Sequence, residues 1–233
     1  MRSTSSTDTS NRERTMLRVA IDGPGGTGKS TIAKAVAERF GIEYIDTGAM
    51  YRALGLKSKR LAVDPADESE VRTMLDDTVI DFSGGRTMLD GEDVSGLIRT
   101  GEISMAASDI SKLAIVRAKV DEVSRHLAAT KDVVMEGRDI GTTVIPDAEV
   151  KIFMTASPEI RAKRRYDQLI EAGKEADYDQ IYKETMERDY QDSHREVSPL
   201  RQAEDAVLLD TSDLTLEGSI DAVARIITEK TQK

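Results

Sequence analysis

LRVAID–GPGGTGKS, residues 17–30, is a short apolar run that breaks into glycine and ends on Lys-Ser. Leu17 to Asp22 carries no helical period and suits a strand covered on both faces. Gly23-Pro24-Gly25-Gly26-Thr27-Gly28-Lys29-Ser30 then satisfies the spacing G-x-x-x-x-G-K-[ST], and the residues after it, STIAKAVAERF, take up a helical period. A strand, this loop and a helix in that order form a phosphate cradle. The glycines let successive N–H groups turn inward as an anion nest, and the helix N-terminus adds positive partial charge. Lys29 would bridge the outer phosphates of a nucleoside triphosphate, and the Ser30 hydroxyl would ligate Mg²⁺. Gly23 through Thr31 are therefore the candidate ATP-binding residues.

The same rhythm repeats outward from that stretch. Short apolar runs recur at EYID (43–46), DVVMEG (132–137), VKIFMTA (150–156) and AVLLDTS (206–212). Helix-patterned segments at about 29–39, 48–60, 112–130, 158–170 and 215–230 alternate with them. Strands alternating with helices predict βαβ units, hence a parallel sheet with helices on both faces. Two regions depart from it. Residues 64–105 carry a short helical pattern and three brief strand-like runs around the turns SGG (83–85) and DG (90–91), which predicts a small antiparallel meander. Residues 166–195 are rich in Asp, Glu, Lys and Tyr at helical spacing with little apolar surface, as in a helical lid. The domain reading is a disordered tail over 1–15, a core over 16–63, 106–165 and 196–233, an insert over 64–105 and a lid over 166–195. The tail holds eight Ser or Thr and no apolar residue after Met1, too little to offset its ordering entropy.

Composition narrows the chemistry. The 233 residues hold 33 basic and 43 acidic side chains, a net charge of −10, which argues against binding nucleic acid or an anionic membrane. There is no cysteine, so disulfides, thiolate metal sites and thiol catalysis are excluded. The two histidines, His126 and His194, read as solvated helix residues. No apolar run approaches the roughly 18 residues of a spanning helix. No Asn-Lys-x-Asp base-reading motif of a GTPase accompanies the phosphate loop. A small-molecule kinase remains, expected as a cytoplasmic monomer whose partners are small nucleotides.

Arginine density points to a second anion. Arg188, Asp192 and Arg195 recur at i, i+4 and i+7 and are expected on one helix face, and Arg161 with Arg164 and Arg165 on another. Arg138 and Asp139 follow the run DVVMEG, beyond a strand's carboxyl end, where open α/β sheets bind ligands. An acidic chain needs such forked guanidinium contacts to hold a nucleotide pair carrying about six negative charges. Asp22 and Glu136, at two strand ends, would either hold metal-bound waters or make loop hydrogen bonds.

Asp46-Thr47-Gly48-Ala49-Met50-Tyr51-Arg52, Glu92-Asp93-Val94 with Ile98-Arg99, Glu136-Gly137-Arg138-Asp139-Ile140-Gly141, Arg161-x-x-Arg164-Arg165, and Arg188-Asp189-x-x-Asp192-x-x-Arg195 with Pro199-Leu200 together resemble the bacterial cytidylate kinase family. With the phosphate loop, the likeness runs from residue 17 to about 212. It implies a P-loop NTPase-type α/β fold: a five-stranded parallel sheet flanked by helices, with an inserted antiparallel NMP-binding subdomain and a helical lid. It implies transfer of the γ-phosphoryl of ATP to CMP or dCMP with Mg²⁺. Carried over by residue, Thr47, Arg52, Ser108, Arg117, Arg138, Asp139, Arg188, Asp192 and Arg195 would line the CMP pocket. Arg52, Arg138 and Arg195 would hold the monophosphate; Ser108, Arg117 and Asp139 would read cytosine; Arg188 and Asp192 would meet the ribose. Lys29, Arg138, Arg161, Arg165 and Arg188 would act in catalysis, the lid bringing in Arg161 or Arg165. The alternatives are a UMP or AMP kinase, a P-loop kinase with a hydroxyl acceptor, or a silent nucleotide sensor on the same fold.

Overall fold

The computed structural model describes residues 16–232, so the tail expected over 1–15 lies outside the described residues. Five strands, β1 (Arg18–Asp22), β2 (Glu43–Asp46), β6 (Val133–Gly137), β7 (Val150–Thr155) and β8 (Val207–Asp210), form one parallel sheet in the order β2–β6–β1–β7–β8. Each falls inside one of the five apolar runs. Their side chains alternate between two cores. Val19, Ile21, Val134, Ile152 and Met154 pack against α1 (Lys29–Phe40) and α8 (Leu216–Thr231), while Ala20, Ile45, Val133 and Met135 face α2 (Thr47–Leu61) and α5 (Ala114–Thr130). Burial on both faces is why β1, β6 and β7 read as near-continuous apolar runs, whereas the edge strand β8 keeps Leu208 exposed.

After α2 the chain makes α3 (Glu68–Asp76) and then an antiparallel sheet of β3 (Ile80–Ser83), β4 (Arg86–Leu89) and β5 (Glu92–Asp93). Gly84-Gly85 and Asp90-Gly91 close its two hairpins with positive φ at both turn residues, the twist that tight hairpins require. A single 3₁₀ turn over Leu97–Arg99 leads into α4 (Gly101–Ile110). No periodicity announced α4; it forms against α2 through a stripe of small residues. A Cβ on Gly55 would stand 2.8 Å from the Ala107 backbone nitrogen, so only glycine allows that approach. The remaining helices, α6 (Pro158–Glu171) and α7 (Tyr178–His194), pack against each other beside the phosphate loop. No helix among the described residues is long and apolar enough to cross a membrane.

Because β6 lies between β1 and β2, the connections leaving β1 and β6 run to opposite sides, and a crevice opens beyond their carboxyl ends. Asp22, Asp46 and Glu136 stand at or next to the last residues of β1, β2 and β6.

Candidate active site

A cavity of about 1010 Å³ occupies that crevice. One end is bounded by α6 and residues 214–219, the middle by the phosphate loop, and the other end by α4, α5 and the 136–139 segment. Gly26 and Gly28 take φ of +80° and +91°, turning the loop around the start of α1. Gly23 is required for a different reason: a Cβ there would fall 1.9 Å from the Met154 carbonyl oxygen. Gly25 through Thr31 line the cavity; Gly23 and Pro24 do not. The Lys29 ammonium is buried and donates to the Gly23 and Pro24 carbonyls at 2.8 and 2.7 Å. Burial first, and the Arg138 charge second, lower it from 10.5 to about 7. Its amine is held in readiness inside an anion-shaped loop, where a bound anion would favour the charged form.

The opposite wall is made of side chains, and its arginines hold carboxylates. Arg52 Nη2 donates to Asp46 Oδ2 at 2.8 Å, Arg138 Nε to Asp192 Oδ2 at 2.6 Å, and Arg117 Nη2 to Asp139 Oδ2 at 2.7 Å. Arg195 reaches the second oxygen of Asp139 at 3.5 Å and donates from Nε to the Ser198 carbonyl at 2.6 Å. Arg52 Nε is buried without a hydrogen-bond partner, and Arg195 Nη2 has only the 3.5 Å ion pair with Asp139, so part of each fork is under-used. A Cβ on Gly25 would sit 3.5 Å from Arg138 Nη2 and 3.8 Å from Arg188 Cζ, which places both guanidiniums against the phosphate loop. Burial, then the Arg138 charge, pushes the Arg188 guanidinium below its ordinary value; burial, then Arg117, does so for Arg195. Five cations crowded into one wall call for an anion between them.

All nine residues expected at the acceptor end, Thr47, Arg52, Ser108, Arg117, Arg138, Asp139, Arg188, Asp192 and Arg195, line this one cavity. Three placements differ from the sequence expectation. Arg195 does not continue the helix face of Arg188 and Asp192; it is the C-cap of α7 with extended backbone, where Leu200 N closes onto the Asp192 carbonyl at 2.8 Å. Arg161 lies beneath the phosphate loop rather than in the cavity. It is 3% exposed, donates to the Ala156 and Gly25 carbonyls at 2.9 and 3.0 Å, and pairs with Asp189 of α7. Arg165 is exposed and lines no part of the cavity, whereas Arg164 does. Asp22 is taken by the backbone: Ile140 N and Gly141 N donate to its two oxygens at 2.8 and 2.7 Å, and burial raises it to about 6.

A family model described as cytidylate kinase matches residues 19–229. The chain belongs to the cytidylate kinase family. Proteins named cytidylate kinase from Thermosipho melanesiensis and Lactobacillus johnsonii are similar to it, the first 46% identical over 213 residues (91% of this chain, 97% of the relative), the second 47% identical over 219 residues (92% and 95%). An uncharacterized protein from Eubacterium ventriosum shares the fold, with a TM-score of 0.51 at 12% identity, covering 92% of this chain and 99% of that one.

The cytidylate kinase family motifs concentrate on the acceptor end; the sequence reading placed Arg164 on a helix face beside Arg161 without a site role, and gave none to Gln168, Leu214, Leu216 or Tyr44. Arg164 Nη2 donates to the Thr211 carbonyl at 2.7 Å and its Nη1 to that of Thr27 at 3.3 Å; with Gln168, Leu214 and Leu216 it bounds the end of the cavity remote from Arg117. The signal was faint: an arginine one turn after Arg161, and a turn after the last strand. Tyr44 donates from its hydroxyl to Glu136 Oε1 at 2.6 Å and meets the Ser30 hydroxyl, linking the phosphate loop to β6. In sequence Tyr44 is one more aromatic in a strand.

Proposed function

We propose that this chain transfers the γ-phosphoryl group of ATP to the phosphate of CMP or dCMP, giving ADP and CDP or dCDP. The observation that carries the reading is the convergence of Arg138 and Arg188 on Gly25: guanidiniums of the acceptor wall lie against the loop built for the donor phosphates. Two phosphates placed on the two sides would meet in line. In this reading the amides of 25–31 and Lys29 hold the ATP phosphates, and Arg164, with the 214–219 segment, bounds the adenine end. Arg52, Arg138 and Arg195 take the acceptor phosphate, Arg188 and Asp192 the ribose. Arg117 orients Asp139, which accepts from the exocyclic amine of cytosine; uracil offers an oxygen there and is refused. Ser108 contributes from α4.

A CMP phosphate has a second pKa near ~6 and is dianionic at neutral pH, so no general base is needed. Catalysis is positioning together with neutralisation of the equatorial oxygens in a loose transition state. Mg²⁺ fits the donor set. Ser30 offers a hydroxyl on the loop, and Glu136 lines the same cavity with one oxygen engaged by Tyr44. Mg²⁺ commonly takes only one or two protein ligands, the rest coming from phosphates and water. When bound, the ion would supply neutralisation of phosphate charge, held by Ser30 and, through water, by Glu136. Arg161, pinned between Gly25 and Asp189, fixes the loop to α7, so its contribution is to hold the cradle's floor. The 166–195 segment serves as a lid and 64–105 as the acceptor-side flap, and the chain works as a cytoplasmic monomer. An ADP-release assay over CMP, dCMP, UMP and AMP tests the reading. CMP or dCMP should lead UMP and AMP in kcat/KM by at least about tenfold. UMP or AMP leading by that margin would refute it.

A further inference from the structure

Asp22 ends β1 and is the last residue before the phosphate loop. It is 5% exposed and lines no part of the cavity. Its Oδ1 accepts from Ile140 N at 2.8 Å and its Oδ2 from Gly141 N at 2.7 Å. Those amides directly follow Arg138 and Asp139, whose own segment is neither helix nor strand: Asp139 has φ −146° and ψ 24°. Its carbonyl starts the single wide turn over Ile140–Val144 by accepting from Thr143 N and Val144 N at 2.9 and 3.2 Å. Two successive N–H groups need two acceptors side by side, and a carboxylate supplies them.

Burying that carboxylate is costly unless both oxygens are engaged. Here both are, by main chain from the acceptor side, while the residue itself belongs to the donor side. The charged groups that act on it are Asp139, which disfavours its charge, and Lys29, which favours it. The Lys151 stem lies beside Gly141 as Asp22 does, and the Lys151 ammonium is committed to Asp205 at 2.9 Å.

We infer that Asp22 is a positioning residue that fixes Arg138 and Asp139 in register with the phosphate loop through its two bonds to the 140–141 backbone. It touches neither nucleotide. The inference rests on reading Arg138 and Asp139 as acceptor-binding residues. Asp22→Asn puts an amide N–H against a backbone N–H, losing one charge-assisted bond and opposing two donors.

The test is calorimetric titration of CMP and of ATP, separately, into the parent, Asp22→Asn and Arg138→Ala proteins, with kcat/KM for CMP and UMP beside it. Losing one bond to a charged acceptor should weaken CMP binding of Asp22→Asn at least about tenfold and shrink the CMP-over-UMP ratio, and should weaken ATP by clearly less, since the lost charge also supports the Lys29 ammonium. A merely structural role would weaken both nucleotides together or lower thermal stability alone. Should Asp22→Asn fail to fold, Gly141→Ala presses on the same anchor from the other side. Its Cβ would stand 3.3 Å from Asp22 Oδ2 and 3.2 Å from Lys151 Cδ, and a smaller loss confined to CMP is expected. Parent-like CMP affinity in a folded Asp22→Asn protein, or equal loss of ATP and CMP in either variant, overturns the inference. If Arg138→Ala leaves CMP affinity unchanged, the acceptor reading falls and the inference with it; if Arg138→Ala weakens CMP and Asp22→Asn does not, only the inference falls.

Discussion

The two ends of the crevice gather positive charge by different means. The donor end is main chain: a contiguous loop whose amides and one buried ammonium make the cradle, with glycines where a side chain would not fit. The acceptor end is side chain: guanidiniums from α2, α5, α7 and the β6 turn, three of them resting on three different carboxylates. A backbone cradle is finished once the loop folds, and it recognises phosphate without regard to the base. A wall of pre-paired arginines depends on the packing of many elements, and its carboxylates give it selectivity. On the proposed reading the donor end supplies rate and the acceptor end choice.

Substitutions at the two ends should separate along that line. Lys29→Ala should cost the most, a fall in kcat of about 10³-fold or more from loss of the charge at the transferring group, while unfolding temperature changes little. Single-turnover measurement beside a melting curve checks it, and a kcat within tenfold of the parent would contradict a rate role for the loop. Asp139→Asn removes the carboxylate shared by Arg117 and Arg195 and offers uracil a donor. The ratio of kcat/KM for CMP to that for UMP should fall by about 5- to 150-fold, with KM for ATP unchanged. A variant that loses both pyrimidines equally would make Asp139 a support rather than a reader.

The smallest effect is a proton. Lys29 ionises at about 7 in the folded chain against 10.5 ordinarily. Between those values the unfolded chain binds more protons, so stability rises with pH across that window, and the full penalty is present below it. A bound triphosphate restores the ammonium. ATP binding at about pH 8 should therefore take up close to one proton, and at about pH 6 none through Lys29. Calorimetry in buffers of differing ionisation enthalpy reads this directly; proton release at the higher pH would show that Lys29 is not the responding group.

How much was legible follows the same division. The loop, its strand and its helix are local, so Gly23 through Ser30 announce both the fold and the donor site. The central strands are equally plain, because burial on both faces leaves short apolar runs such as Val133-Val134-Met135. The arginines could be collected from the sequence but not sorted. Arg161 and Arg164 lie one turn apart on α6, yet the first turns under the loop to meet Asp189 and the second lines the cavity; only the packing of α6 on α7 separates them. Arg195 keeps helical spacing in sequence but lies past the end of α7. Helix α4 was invisible because its cause, the bare backbone at Gly55, lies in another helix. Asp22 was ambiguous for the same reason: its partners, the amides of Ile140 and Gly141, are 118 and 119 residues away.

The most direct measurement is a crystal structure of the protein with CMP and a non-hydrolysable ATP analogue bound together. The account predicts the CMP phosphate among Arg52, Arg138 and Arg195, in line with the terminal phosphate of the analogue over Gly25 and Lys29, and the cytosine amine on Asp139. Guanidiniums turned to solvent, or a CMP phosphate lying outside that cluster, would contradict it.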